Sequence, residues 1–223
     1  HCRETLFSAT TSASKPTMTL QYQSSDPAQK PALRRLFKQQ RQGLSAQLRD
    51  EHHQNIMQHL NRLLAEQVDA HHFAIYLATH DEADLQPWIE SAWNDAKRLY
   101  APVVGKTEGQ MAFYPLTEAT PLRQGRFKLR EPAVEDNALA IAPQHLDVAL
   151  VPLLAFNLYG QRLGMGGGFY DRYFAKLARR PKIIGIGYEV QLAEHRLPTE
   201  PWDIALDAVV TENGARAFGA QLA

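Results

Sequence analysis

One stretch of this chain limits its fold more than any other. Residues 147–156, DVALVPLLAF, are almost wholly apolar, and a few residues later comes GQRLGMGGGFYDRYF, with four glycines between Gly164 and Gly168. A continuous apolar run reads as a strand covered on both faces, which is the habit of parallel sheets. A strand feeding a glycine-rich loop that opens a helix is the local plan of open α/β sheets, which bind ligands beyond the carboxyl ends of their strands.

The rest of the chain supports that plan. Asp26-Pro27 marks a helix start, and AQKPALRRLFKQQRQGL sets Leu33, Leu36 and Phe37 on one stripe amid Lys30, Arg34, Arg35 and Lys38. Gly43 ends that helix and Ser45 caps the next, which carries Leu48, Ile56, Leu60, Leu63 and Leu64. His72–Thr79 reads as a buried strand, and Leu85, Trp88, Ile89, Ala92 and Trp93 follow helical spacing. RLYAPVV and MAFYPL read as strands, and 117–145 as loop-rich. After the glycines come a helix YDRYFAKLARR, a strand KIIGIGY, an irregular proline-bearing segment and a last strand DAVVT. The expectation is an α/β three-layer sandwich, with a mainly parallel central sheet flanked by helices.

Composition narrows the function classes. Lys plus Arg equals Asp plus Glu at 24 each, which speaks against nucleic-acid or membrane-surface binding, so an anionic ligand needs locally placed cations. The one cysteine, Cys2, allows neither a disulfide framework nor a thiolate metal site. The nine histidines repeat no zinc spacing and read as solvated or capping groups. No apolar run is long enough to span a membrane, and a cytoplasmic protein is the expectation. The Ser- and Thr-rich residues 1–25 read as a mobile leader or an added extension, ahead of a single domain over 26–223.

The glycine stretch fails the familiar nucleotide patterns. Gly164 and Gly166 fit a dinucleotide fingerprint, but its third glycine falls at Phe169, and no Gly-Lys-Ser/Thr follows for a P-loop. Glycines still let backbone amides approach an anion, and the following helix start adds partial positive charge. That charge contributes only about 0.3–1 kcal/mol in exposed settings, so a triphosphate needs side-chain cations, each worth about 1.5–3 kcal/mol as a charge-assisted hydrogen bond. Arg162 is the nearest, with a planar fork suited to phosphate oxygens. Asp171 would repel phosphate unless Mg2+ lay between them. From these residues alone, a phosphate cradle and a plain tight turn both stay open.

Arg162 to Asp171, RLGMGGGFYD, closely resembles the loop of the 5-formyltetrahydrofolate cyclo-ligase family, which runs Arg-Leu-Gly-x-Gly-x-Gly-aromatic-Tyr-Asp. KPALR resembles that family's amino-terminal Lys-x-x-x-Arg element, YLATHDEADL its folate-side strand and loop, LREP its central Glu-Pro, and PWDIALDAVVT its carboxyl-terminal element. The likeness runs over about residues 28–212, with Phe169 and Leu85 as departures where Tyr and Thr are common.

The resemblance implies a NagB/RpiA/CoA transferase-like fold. It also implies ATP- and Mg2+-dependent conversion of 5-formyltetrahydrofolate to 5,10-methenyltetrahydrofolate, with ADP and phosphate released, by a monomer. It assigns ATP binding to Lys30, Pro31, Ala32, Leu33 and Arg34, and to Arg162, Leu163, Gly164, Met165, Gly166, Gly167, Gly168, Phe169 and Tyr170. Folate contacts fall to Leu77, Glu82 and Met165–Phe169, magnesium to Asp171 and Asp203, and catalysis to Arg162 and Tyr170. Each has a plainer reading: a solvated basic helix face for Lys30 and Arg34, a core leucine, a surface acid, a turn aspartate, a core tyrosine. Another ATP-dependent ligase or kinase for a small metabolite is the rival enzyme, and a non-catalytic nucleotide-binding protein the rival of another class.

Overall fold

The computed structural model describes residues 26–107, 109–134, 136–175 and 177–219, so the leader expected over 1–25 lies outside the described residues. A 3-10 turn at Pro27–Gln29 leads into α1 (Lys30–Gln42), and Ser45 caps α2 (Ala46–Ala65) by accepting from the Leu48 amide. Then follow β1 (His72–Ala74), α3 (Gln86–Asn94), β2 (Arg98–Val104) and β3 (Met111–Leu116). Between 117 and 145, read as loop-rich, a short hairpin forms from β4 (Leu122–Gln124) and β5 (Arg130–Pro132). Next come β6 (Val148–Pro152), β7 (Ala155–Asn157), β8 (Arg162–Leu163), α4 (Phe169–Phe174) and β9 (Lys182–Ile186). β10 (Leu192–Ala193), β11 (Ala208–Thr211) and β12 (Gly214–Ala217) complete the order.

Seven strands form the main sheet in the order β12-β11-β9-β6-β1-β2-β3. Every pairing among the five inner strands is parallel, while β3 and β12 close the edges antiparallel. The mainly parallel sheet flanked by helices is therefore present. On one face α2 and α3 bury Ile56, Leu60, Trp88 and Ile89 against Phe73, Ile75 and Leu150. On the other, Phe174 of α4 packs with Phe113, Val151 and Phe156.

Three sequence expectations change. The apolar run 147–156 is split between β6 and β7, because the chain leaves the main sheet after Pro152 and joins a second, three-stranded sheet of order β10-β7-β8. The strand expected over 72–79 is only three residues long by pairing, although Ile75 and Tyr76 stay buried. The helix after the glycines stops at Phe174 instead of running on to Arg180. α1 lies on the small sheet, with Leu33 and Phe37 packed among Ala155, Leu163 and Ala193.

Chain order reverses between β6 and β1: β1 continues through α3 to β2 on one side, and β6 pairs with β9 on the other. The crevice outside the carboxyl ends of two such strands is where open α/β sheets take ligands.

Candidate active site

A cavity of about 220 Å3 lies between α1, the glycine loop and the segment before β11. Its walls carry four basic side chains (Lys30, Arg34, Arg162, Arg172) and three acidic ones (Asp171, Glu200, Asp203). Lys30 Nζ lies 2.7 Å from Asp203 Oδ2, which also accepts from the Glu200 amide at 2.9 Å. Arg162 Nη2 donates to Asp171 Oδ1 at 2.8 Å, and the same oxygen accepts from the Ile204 amide at 3.1 Å. Asp171 is thus balanced by a protein cation, and the repulsion that made it look unhelpful beside phosphate is already offset.

Arg162 is buried at 7% exposure, yet its Nε finds no hydrogen-bond partner among the described residues. Such a donor is costly to leave unmade, and it belongs to a side chain that lines the cavity. Arg34 donates to the Gly164 carbonyl at 3.0 Å and Arg172 to the Gly167 carbonyl at 2.9 Å. Two loop carbonyls that would repel an anion are therefore turned onto guanidinium groups. Burial lowers the pKa of Arg34, while the nearby Asp203 and Asp171 charges oppose that shift.

Positive φ angles favour glycine at two points of the loop. Gly166 has φ +110°, and a Cβ there would come within 3.3 Å of Arg34 Cζ. Gly168, at φ +61°, makes the left-handed turn into α4. That helix has only six residues, so its dipole adds little and the side-chain cations dominate. The loop also enters from β8 of the small sheet, not from the central strand that the sequence suggested.

Of the five residues Lys30 to Arg34, only the first and last face the cavity. Leu33 is core, and Pro31 and Ala32 are exposed. Met165 is exposed, and Phe169 meets Phe127 edge-on at 6.1 Å. Tyr170 is half-buried, with Arg162 Cζ 5.8 Å from its ring centroid. Burial raises its pKa, the Glu82 charge adds to that and Arg162 opposes it, so the phenol keeps its proton at neutral pH.

Leu77 and Glu82 lie outside this cavity. Leu77 is buried and walls a separate groove of about 530 Å3 beside α3. Glu82 accepts from the Thr79 amide at 2.9 Å through Oε2, and its Oε1 lies 3.7 Å from Arg41 Nη1. Tyr170 lies under Arg162 of the first cavity, and the Glu82 charge raises its pKa further.

Sequence reasoning passed over Arg41, Asp81 and Trp202. Arg41 extends the Lys30, Arg34, Phe37 series at helical spacing, a signal that was legible. Trp202, 57% exposed at the cavity rim, had only its neighbour Asp203 to point to it. No group of three or more potential metal ligands exists among the described residues, histidines included.

The model of the 5-formyltetrahydrofolate cyclo-ligase family matches residues 26–212. The chain belongs to that family. It is 41% identical over 146 residues to the 5-formyltetrahydrofolate cyclo-ligase of Escherichia coli K12, covering 65% of this chain and 79% of that one. The Haemophilus influenzae enzyme of the same name is 36% identical over 169 residues, 74% of this chain and 88% of its own. Among solved structures, the Aquifex aeolicus 5,10-methenyltetrahydrofolate synthetase aligns with a TM-score of 0.73 at 30% identity, covering 87% of this chain and 95% of that one. The Mycoplasma pneumoniae synthetase gives 0.67 at 28% identity, covering 82% and 98%. No helix among the described residues is long and apolar enough to cross a membrane.

Proposed function

We propose that this chain, as a monomer, converts 5-formyltetrahydrofolate and ATP to 5,10-methenyltetrahydrofolate, ADP and phosphate. The observation that carries the reading is the convergence of Lys30, Arg34, Arg162, Asp171 and Asp203, from separate parts of the chain, on one cavity. A surface of unrelated solvated charges would not close on itself in this way.

At about 220 Å3, the cavity is smaller than the roughly 300–1,000 Å3 of sites that enclose a drug-sized ligand. It suits a polyphosphate, with the nucleoside lying toward the rim at Trp202. Lys30, Arg34 and Arg162 bind the phosphates, and the Arg162 charge stabilises the transferring phosphoryl group. Asp171 and Asp203 are the chain's contribution to a magnesium ion. Each gives one oxygen to a cation and has a second, and two carboxylates plus phosphate oxygens are the set that Mg2+ favours. The ion would neutralise charge on the phosphates; no all-protein metal cage exists among the described residues.

The chemistry asks for positioning more than for a strong base. The formyl oxygen attacks the γ-phosphorus and ADP leaves. N10 then attacks the activated formyl carbon, phosphate carries away the oxygen, and the N10 proton is lost to solvent as the ring closes. Tyr170, held protonated, is a donor able to orient the formyl group, and Glu82 accepts from pterin N–H groups. Phosphate release from ATP tests the reading: it should require 5-formyltetrahydrofolate and match the folate consumed, whereas equal release without folate would favour a kinase or plain ATPase.

A further inference from the structure

We propose that Arg41 is a positioning residue for the folate side of the site, clamping the loop after β1 to the end of β6 across the point where strand order reverses. This rests on the proposed cyclo-ligase reading and adds a residue to it.

Arg41 is 2% exposed near the end of α1. Its Nε and Nη2 donate to Asp81 Oδ2 at 3.3 and 3.0 Å, and its Nη1 donates to the Leu153 carbonyl at 3.3 Å. Asp81 belongs to the loop that follows β1, and Leu153 is the residue after β6. One planar guanidinium therefore ties together both lips of the crevice. Glu82, the next residue along the loop, has Oε1 3.7 Å from the same Nη1.

The clamp has supports on both sides. Gln191 Nε2 donates to the same Leu153 carbonyl at 2.7 Å, and Arg162 Nη1 to the preceding Pro152 carbonyl at 3.4 Å. The far side of the loop is held by Tyr188, whose hydroxyl reaches the Glu82 carbonyl at 3.3 Å, and by His53, which accepts from the Asp84 amide at 3.3 Å. A fully buried arginine is expensive to desolvate, and a structural role alone would be met by an apolar side chain of similar size. The fork geometry is what an apolar residue or a lysine cannot reproduce.

Placement along α1 sets what Arg41 acts on. Lys30, Arg34, Phe37 and Arg41 fall on one helix stripe, and the eleven steps from Lys30 to Arg41 span about 16 Å. The amino end of the stripe faces the phosphate cavity and its carboxyl end holds the folate loop. Loss of Arg41 should therefore release Glu82 while leaving the cavity cations in place.

The test compares Arg41→Lys, Arg41→Met and Asp81→Asn with wild type. Calorimetry measures 5-formyltetrahydrofolate binding without ATP, and ATP binding with Mg2+ but without folate. Folate affinity should fall about tenfold or more, the loss of one charge-assisted hydrogen bond, with ATP affinity within about twofold of wild type. Arg41→Lys and Asp81→Asn give this readout even where Arg41→Met does not fold. Unchanged folate affinity, or equal weakening of both ligands, would overturn the positioning role. A wild-type protein that binds no folate would instead overturn the functional reading beneath it.

Discussion

Lys30 Nζ and Asp203 Oδ2 stand 2.7 Å apart, although 173 residues separate them in the chain. The pair closes the cavity at the start of α1, with both side chains largely buried at 12% and 16% exposure. It gives the resemblance a physical basis: the amino-terminal Lys-x-x-x-Arg element and the carboxyl-terminal PWD element are one site.

Lys30→Met should raise the KM for ATP about tenfold or more and cost about 1–3 kcal/mol of stability, since Asp203 loses its charge partner. Initial rates against ATP, with urea unfolding, check both. An unaltered KM beside reduced stability would leave Lys30 as a structural tie only.

Asp171→Asn keeps an acceptor for Arg162 and the Ile204 amide but removes the charge. Turnover should drop on the order of 100-fold, with part of the loss recovered by raising Mg2+ at fixed ATP. Folding should weaken by about 1–2 kcal/mol, because Arg162 stays buried beside a neutral partner. Turnover equal to wild type would remove the metal role from Asp171.

Gly166→Ala puts a side chain at φ +110° and within 3.3 Å of Arg34 Cζ. Gly214→Ala is the control, strained at φ +137° but with nothing within 4 Å. Both should lose about 1–2 kcal/mol from backbone strain, and only the first should raise the KM for ATP, several-fold. A matching rise in the control would mean that the loop geometry is not what matters.

Acid should destabilise the protein before its carboxylates titrate. Burial holds His53 below its usual value of 6.5, with Asp84 opposing, and burial lowers His72 likewise. The unfolded chain takes up protons at these histidines near 6.5 while the folded chain resists. Stability is therefore complete above that value and is lost as pH falls through it. Tm should fall between about pH 7 and pH 5, and His53→Gln should flatten the fall without abolishing it. The same slope in the variant would show that His53 is not a source.

Below about pH 4 a second loss should follow. At Asp81 burial opposes ionisation but is outweighed by the charge and hydrogen bonds of Arg41. At Glu189 it is outweighed chiefly by the hydrogen bond from Arg216. Both carboxyls are held below their ordinary values, so their contribution is present above those values and disappears as they protonate.

What the sequence disclosed follows the range of the physics involved. Helix stripes and caps are local, so α1, α2 and Ser45 were legible. Buried parallel strands were legible from their apolar runs. The transfer of the chain from β6 to the small sheet depends on which neighbours accept β7, and no short window encodes that. Within the site, Lys30 and Arg34 were visible as an i, i+4 pair, but a basic helix face reads the same whether or not it meets a cavity. The pairing of Arg162 with Asp171 inverted a local argument, because repulsion from phosphate was weighed without the partner that offsets it. Arg41 stood on the same stripe by its spacing, but the sequence did not show the partners, Asp81 and the Leu153 carbonyl, that let an arginine be buried there.

The most direct measurement is the near-ultraviolet absorbance of the methenyl product when the purified protein meets 5-formyltetrahydrofolate, ATP and Mg2+. The signal should grow with time, need ATP, and nearly vanish in an Arg162→Met variant that still folds. A folded wild-type protein giving no ATP-dependent absorbance, or full activity after loss of Arg162, would contradict it.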